Sequence, residues 1–346
     1  MAEKIRALAL LSGGLDSTLA VRIIQDLGVG VTALHFNTGF CLSDNREKIR
    51  QKPGEIYRND AAAAAERLGV PLETVDIYDE YWEVLTRPKH GYGSAMNPCI
   101  DCRAMMLRIA GRLLRERGEH FVFTGEVVGQ RPMSQQRHTL RLIEKECGLE
   151  GLLLRPLSAK LLEPTTPEKE GWVDREKLYG FAGRGRKNQM ELAAKLGIEE
   201  YPSPAGGCCS LVDPIFAQRL MDLLTRRTQD DPLAREEVYL LKVGRHFRLS
   251  PKAKVIVARD EGECRFIHFH RRSGWRIEAD EIRGPVGLVQ GDPSEEDLRA
   301  AAAIVASYGD GKNERSVPVL VDRGGEIRVV DVAPMAREDS RPLWVG

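Results

Sequence analysis

Leu8-Ala9-Leu10-Leu11-Ser12-Gly13-Gly14-Leu15-Asp16-Ser17 is the stretch that decides the architecture. The apolar run from Ile5 to Leu11 reads as a short buried strand. It breaks at a glycine pair, and from Ser17 the chain resumes with the helical spacing Leu19, Val21, Ile23, Ile24, Leu27. A strand, a glycine turn and a helix start aim free backbone N–H groups and a positive helix end at an anion. Gly13 and Gly14 can take φ > 0 and carry no side chain to hold a phosphate away. Ser12 and Ser17 add hydroxyl donors, and Asp16 suits Mg²⁺, directly or through water. Two other phosphate loops are excluded. There is no Lys-Ser/Thr after the last glycine, and no three glycines at G-x-G-x-x-G spacing.

Working outward, Val31 to Phe36 reads as a second strand, and ligands of a doubly wound sheet sit beyond the carboxyl ends of its strands. His35 and Phe36, with the backbone of Leu10, are therefore expected near the adenine of a bound nucleotide; a hydrogen-bonded structural imidazole is the alternative for His35. A polar loop from Cys41 to Arg58 leads to an alanine-rich helix, Asn59 to Leu68, closed by Gly69, and then to a strand, Leu72 to Ile77. Cys41 reads as incidental. Asn97-Pro98-Cys99-Ile100-Asp101-Cys102 precedes a helical run from Arg103 to Arg117. A helix start lowers thiol pKa, so Cys99 and Cys102 are expected as thiolates, suited to metal, redox or sulfur chemistry. His120 to Thr124 is a fourth strand, and Gly125 at its end lets a nucleotide approach the backbone.

The chain has 346 residues, enough for two domains, and its 51 Lys and Arg balance its 51 Asp and Glu, so composition gives no global sign of a nucleic-acid partner. No apolar stretch is long enough to span a bilayer and the first strand begins almost at once; a cytoplasmic protein with no membrane partner is expected. Seven cysteines in a chain of this kind argue against a disulfide scaffold.

Ser12-Gly13-Gly14-Leu15-Asp16-Ser17 resembles the PP-loop of the N-type ATP pyrophosphatases, which split ATP between its α and β phosphates and adenylate an acceptor. Thr124-Gly125-Glu126, Gly129-Gln130 and Ser134-Gln135 look like the matching segment of bacterial tRNA 4-thiouridine synthases. Asn97-Pro98-Cys99 with Cys102 is similar to the cysteine motif of tRNA-specific 2-thiouridylases, and Leu154-Arg155-Pro156-Leu157 matches a strand end near the nucleotide in these enzymes. The resemblance spans residues 5 to 225. It implies an α/β fold, a Rossmann-like parallel sheet with helices on both faces, using ATP and Mg²⁺. Cys208, after Tyr201-Pro202-Ser203-Pro204-Ala205-Gly206-Gly207, matches the second essential cysteine of the 2-thiouridylases, with Cys209 beside it as a competing assignment.

Three thiols leave two schemes open. Cys99, Cys102 and Cys208 could ligate a [4Fe–4S] cluster with one iron free to carry sulfur. Otherwise one cysteine carries a persulfide and another resolves it by thiol–disulfide exchange. Catalytic roles fall to Cys99, Cys208 and Asp16.

Residues 1–165 are expected to form the ATP-binding domain, 166–235 a helical extension with the second cysteine motif, and 236–346 a small α+β RNA-binding domain. Short helices are expected at Arg175 to Phe181 and Arg186 to Leu196, and another from Asp213 to Leu224. In the last domain strands are expected at Val238 to Val243, Lys254 to Ala258, Arg265 to His270, Trp275 to Ile277, Gly287 to Val289, Val317 to Val321 and Ile327 to Val330, with a helix from Glu295 to Ser307. Arg245, Arg248, Lys254, Arg271 and Arg272 lie among Phe247, Phe266, Phe269 and Trp275, a composition that suits phosphates and unpaired bases. Val243-Gly244-Arg245-His246-Phe247-Arg248 with Lys254 resembles the RNA-binding module of NFACT-type proteins. Arg184, Arg186 and Lys187 form a basic turn read as a tRNA phosphate contact or a solvated loop.

The expected activity is ATP-dependent tRNA thiolation: adenylation of a uridine carbonyl, then replacement of AMP by sulfur. Sulfide, a cysteine desulfurase or a sulfur-carrier protein would supply the sulfur, and a homodimer is left open. The rival readings are an amide-forming PP-loop enzyme and a non-catalytic RNA-binding protein with a regulatory ATP site.

Overall fold

Strand β1 (Arg6–Leu10) runs through the middle of a five-stranded parallel sheet, flanked by β2 (Gly30–Asn37) and β4 (Phe121–Thr124). With β3 (Leu72–Asp76) and β5 (Leu153–Leu154) the order is β3-β2-β1-β4-β5. The computed structural model describes residues 4–41, 59–202, 208–226, 232–270 and 274–346. Most of the Cys41-to-Arg58 loop, the stretch 203–207 before Cys208, part of the expected boundary near residue 230, and Arg271 and Arg272 lie outside the described residues. The chain divides into two compact units, one running to Cys209 and one from Ser210 to Gly346.

In the first unit, Ala7 to Leu10 of β1 are all buried because helices cover both faces of the sheet, which is why the strand is a continuous apolar run rather than an alternating one. Helix α1 (Leu15–Asp26) follows the glycine turn. Helix α2 (Asp60–Leu68) is capped by Asn59, whose side chain accepts from Ala62 N, and closed by Gly69 at φ 65°. Helix α3 (Tyr78–Thr86), α4 (Cys99–Arg117) and α5 (Arg137–Cys147) follow, then the short α6 (Thr166–Lys169) and α7 (Lys187–Lys195). The expected helix at Arg175 to Phe181 is only a 3₁₀ turn, Arg175–Lys177, stopped as Tyr179 and Phe181 turn away to donate to the Pro156 and Leu157 carbonyls. Because β2 and β4 leave β1 on opposite sides, the strand order reverses at β1. Ser12–Ser17 and Thr124–Glu126 therefore face each other across a crevice at the carboxyl end of the sheet.

The second unit is built on an antiparallel sheet of order β11-β10-β8-β9-β7-β6. Helices α8 (Pro214–Leu224) and α9 (Arg235–Leu240) lead into β6 (Arg245–Ser250) and β7 (Ala253–Val257). Next come α10 (Glu261–Phe269), β8 (Trp275–Ala279), β9 (Gly287–Gly291), α11 (Glu295–Ala306), β10 (Val317–Arg323), β11 (Glu326–Val332) and the short α12 (Arg337–Ser340). Two expected strands are helices. Val238 to Val243 yields to α9, whose start is fixed by Ala234 N donating to the Glu237 carboxylate. Arg265 to His270 yields to α10, capped by Asp260 accepting from Glu263 N. Arg245–Ser250 is a strand that the expected strand set lacked.

Every residue of β7 is buried, because α11 packs with Val255 and Val257 in one apolar cluster while Leu240 and Ile267 join Ile256 in another.

Candidate active site

The glycine turn is held from within. Ser17 Oγ donates to the Gly14 carbonyl at 2.9 Å and lies 3.2 Å from Ser12 Oγ, while Ser12 N donates to Ser17 Oγ at 3.3 Å. Gly13 takes φ +78°, and a Cβ there would lie 2.2 Å from the Asp60 backbone. Only this first glycine is left-handed; Gly14 has φ −74° and caps α1. Gly125 is required by contact instead: a Cβ there would stand 2.4 Å from the backbone of Asp16. The end of β4 thus lies directly against the first turn of α1.

Asp16 sits in that turn. Its Oδ2 accepts from Gln130 Nε2 at 3.0 Å, whereas Oδ1 is buried with no hydrogen-bond partner. Burial raises its pKa, opposed by Gln130 and by the charges of Arg186 and Arg131. An acceptor oxygen left bare beside a phosphate-type loop is a fitting ligand for a hard divalent cation. His35 is buried, and its Nδ1 donates to the Leu11 carbonyl at 3.3 Å, the structural role the sequence left open for it. Leu10 and Phe36 are also buried.

The thiols gather on the same side of the unit. Asn97 is buried and its Nδ2 donates to Cys99 Sγ at 3.1 Å. Cys99 and Cys102 occupy the first turn of α4, but the expected thiolates are not there. Burial pushes Cys99 up and Cys102 up to about 12, outweighing the helix start and Arg103. Cys208 is the contrast. Its pKa is lowered to about 6, first by a hydrogen bond with Cys209, then by Arg131 and Arg103 against the cost of desolvation. The charge of Cys208 is felt by both Cys99 and Cys102, and Arg131 acts on Asp16, Cys99 and Cys208 alike. The nucleotide-loop carboxylate and two of the thiols, Cys99 and Cys208, therefore share the field of one cation.

Three residues outside the sequence-derived set belong here. Glu126 is buried, 3.1 Å from Arg103 Nε and 3.0 Å from Arg155 Nε, and those cations hold its pKa down against burial. It links the cysteine helix to the end of β4; its sequence signal was present in Thr124-Gly125-Glu126, but only the glycine was given a role. Tyr81, buried on α3, hydrogen-bonds Cys102, and no sequence spacing pointed to it. Cys41, read as incidental, forms an isolated antiparallel bridge with Cys209.

Among the described residues no three His, Cys, Asp or Glu side chains are placed to hold a single metal ion, Cys99, Cys102 and Cys208 included. A cleft lined by Val84, Asp101, Met105, Arg108 and Glu146 contains none of the loop residues or site thiols. No helix among the described residues is long and apolar enough to cross a membrane.

The basic residues divide. Arg184 and Lys187 are exposed, and Arg186 lies in the field of Asp16. In the second unit, Arg245 stacks 4.6 Å from the Tyr308 ring centroid and Arg248 is paired with Asp222. Lys254 is 3 % exposed, with no hydrogen-bond partner for Nζ, and burial lowers its pKa to about 8. The alternating sequence of β7 puts Lys254 on one face with Ile256, and that face is covered. Lys254 is therefore interior and not a surface phosphate ligand.

Residues 3–160 match the family described as thiamine biosynthesis protein (ThiI), and residues 244–345 match the NFACT protein RNA binding domain. A tRNA sulfurtransferase of Desulfurococcus amylolyticus is 24 % identical over 226 residues, covering 64 % of this chain and 39 % of that one. A probable tRNA sulfurtransferase of Staphylococcus aureus is 30 % identical over 155 residues, 44 % of this chain and 34 % of the other. A tRNA-specific 2-thiouridylase MnmA of Cutibacterium acnes is 32 % identical over 117 residues, 33 % of this chain and 31 % of the relative. The chain thus spans well under half the length of these relatives. A solved 4-thiouridine synthetase–RNA complex with bound ATP aligns at a TM-score of 0.36 and 22 % identity, over 68 % of this chain and 53 % of that one, too loosely to transfer residue roles.

Proposed function

We propose, for a chain whose residues 3–160 match the ThiI family and whose residues 244–345 match the NFACT protein RNA binding domain, that it is an ATP-dependent tRNA thiolase. The observation that carries this reading is the common field of Arg131 over Asp16, Cys99 and Cys208, which brings nucleotide chemistry and sulfur chemistry to one crevice.

In this reading the carbonyl oxygen of a uridine attacks the α-phosphorus of ATP, and pyrophosphate leaves with the electron pair of the broken P–O bond. The N–H groups of Gly13, Gly14 and the start of α1 face the phosphates. Asp16 Oδ1 would hold Mg²⁺, which neutralises phosphate charge when bound. The adenylated carbon is then attacked by the terminal sulfur of a Cys208 persulfide, and AMP leaves. Cys99 next attacks Cys208 Sγ; the S–S bond breaks, the sulfur stays on the base as thiouridine, and the resulting disulfide is reduced by an external thiol. Cys208 fits the persulfide role because a thiolate is the reactive form. A persulfide-carrying protein would load it by giving its outer sulfur to the Cys208 thiolate as the carrier's own thiolate leaves, or sulfide would load it by attacking Cys208 Sγ in the Cys99–Cys208 disulfide, with the Cys99 thiolate leaving. The base must leave its stack to enter the crevice, and the second unit would supply RNA affinity. Cys99, Cys102 and Cys208 are the thiols that would hold a [4Fe–4S] cluster, and no step is routed through one.

The test is anaerobic incubation of the full chain with tRNA, Mg·ATP and sulfide or a persulfide donor. Thiouridine is read by mass spectrometry, pyrophosphate release in parallel, and iron by direct analysis. Formation of thiouridine, lost in Asp16→Asn and Cys208→Ala, supports the reading. Pyrophosphate release driven by ammonia without tRNA would favour the amide-forming rival. Tight RNA binding with no turnover would favour the non-catalytic one, and iron bound in proportion to activity would replace the persulfide route.

A further inference from the structure

Strand β2 ends in a turn that is bonded to itself. Gly39 N donates to Asn37 Oδ1 at 2.9 Å, and Phe40 N donates to Thr38 Oγ1 at 3.2 Å. Phe40 is wholly buried, its ring centroid 6.2 Å from that of Tyr78 and 5.9 Å from that of Tyr81, both on α3. Cys41 follows this anchor directly. Its Sγ lies 3.6 Å from Thr38 Oγ1 and 3.8 Å from the Phe36 carbonyl oxygen. Set opposite it, through an isolated antiparallel bridge, is Cys209. Cys209 is followed at once by Ser210 and Leu211, both buried, in the 3₁₀ turn Ser210–Val212.

Residues opposite one another in an antiparallel pair stand about 4.5–5.5 Å apart at Cα. A disulfide spans about 4.4–6.8 Å between the same atoms, so little backbone movement is needed to close one here. Both residues carry thiols and are half-buried, within reach of a small solute. Neither belongs to the set Cys99, Cys102 and Cys208, and no step proposed above consumes them.

We infer that Cys41 and Cys209 are a redox-modification site, which a low-molecular-weight disulfide closes into a bond tying the end of β2 to the second cysteine motif. The exchange balances in two displacements. The Cys209 thiolate attacks one sulfur of the small disulfide, and a small thiolate leaves. The Cys41 thiolate then attacks Cys209 Sγ and expels the other. Two protein thiols give up two protons and two electrons, and one small disulfide becomes two small thiols. A small dithiol runs the sequence backwards. Because Cys208 is the residue before Cys209, the bond fixes where that thiol stands relative to the carboxyl end of the sheet. It also spends the Cys209 thiol that hydrogen-bonds Cys208. In a chain with no disulfide framework, such a pair suits sensing rather than permanent bracing. The disulfide is independent of the thiolase reading; only its bearing on sulfur transfer rests on that reading.

The experiment is incubation of the full chain with oxidised glutathione, labelling of the remaining thiols with N-ethylmaleimide, and peptide mapping without reduction. Wild type, Cys208→Ser, Cys209→Ser and Cys41→Ser are compared; Cys208→Ser is needed because Cys208 and Cys209 share every peptide. The Cys41 peptide is expected joined to the Cys209 peptide in wild type and in Cys208→Ser, released by dithiothreitol, and unjoined in Cys209→Ser. The bond would enclose most of the first unit and restrict its unfolded chain. Oxidised Cys208→Ser should therefore unfold at a higher urea midpoint than its reduced form, a shift lost when Cys41→Ser is added. Cys41 still labelled in oxidised Cys208→Ser, or linked only between two chains, overturns the inference, as does equal joining of Cys41 to Cys208 in Cys209→Ser. A chain that forms no thiouridine under any condition overturns the thiolase reading and leaves the disulfide result standing.

Discussion

Arg103 Nε stands 3.1 Å from Glu126 Oε1, joining the first turns of the cysteine helix to the residue that follows Gly125. Arg155 closes the same carboxylate from the other side at 3.0 Å, with its own side chain almost wholly buried. One carboxylate thereby fixes two segments that chemistry needs in register.

Replacing Glu126 by Gln removes the carboxylate shared by Arg103 and Arg155 and leaves Arg155 paired with Glu144. A loss of about 1.5–3 kcal/mol is expected in urea unfolding of the full chain, the scale of a hydrogen bond to a charged group, because Arg155 keeps Glu144 while Arg103 loses its carboxylate. The carboxyl is held below its ordinary value, so its stabilising contribution is present above the unfolded pKa and is lost as pH falls through the folded one. Wild type should therefore lose stability below about pH 4.3, the ordinary Glu value, and Glu126→Gln should lack that component.

Cys208 should alkylate with iodoacetamide along a titration curve centred near pH 6, while Cys99 reacts above the ordinary thiol range and Cys102 only toward pH 12. Cys209→Ala removes the largest cause of the low value, so the Cys208 midpoint should move upward, and Arg131→Ala should move it in the same direction by less. Mass spectrometry of the labelled peptides against pH is the measurement. An unshifted midpoint in Cys209→Ala would assign the low pKa elsewhere.

Lys254 is a buried cation whose replacement should help. Its folded pKa, about 8, lies below the unfolded value of 10.5. The folded unit thus holds fewer protons between those limits, and stability rises as pH increases from 8 to 10.5. Lys254→Met should stabilise the second unit by about 2–4 kcal/mol at neutral pH, on the scale of a buried charge exchanged for an apolar chain. It should also flatten that pH dependence, read as hydrogen exchange of the β7 amides.

Gly125→Ala tests the close approach of β4 to α1. Its Cβ would lie 2.4 Å from the Asp16 carbonyl oxygen, so one backbone must move. Mg·ATP affinity should fall by at least about tenfold, on the scale of backbone strain of a few kcal/mol at the loop. Gly151→Ala is not an equivalent control, since Gly151 itself has φ +74°; Gly185→Ala, with open space around it, is.

Much of the first unit was legible because its physics is local. A buried parallel strand reads as an apolar run, and Ser12 to Ser17 carries its own geometry in two glycines and two hydroxyls. Asn59 and Gly69 likewise announced the ends of α2. The thiol pKa values were not legible, since the helix-start argument is local and the burial that overrides it at Cys102 is tertiary. The docking of the basic turn was not legible either, because a glycine-rich run says nothing of the bridge between Val128 and Ala182. The second unit was harder still. Short segments such as Val238 to Val243 and Arg265 to His270 are apolar enough for either element, and side-chain caps at Glu237 and Asp260 tip them to helices. Lys254 and Arg248 looked solvated, because sequence alternation cannot reveal that helices cover both sides of β7.

The central place of β1 has a consequence for biosynthesis. Leu10 is aligned with Leu34 on one side and Thr124 on the other, so the glycine turn emerges from a ribosome long before its second wall exists. A parallel pairing this distant along the chain forms late and slowly. In the proposed reading the nascent protein would stay unable to grip a nucleotide until β4 had been synthesised, and one edge of β1 stays unpaired through that interval.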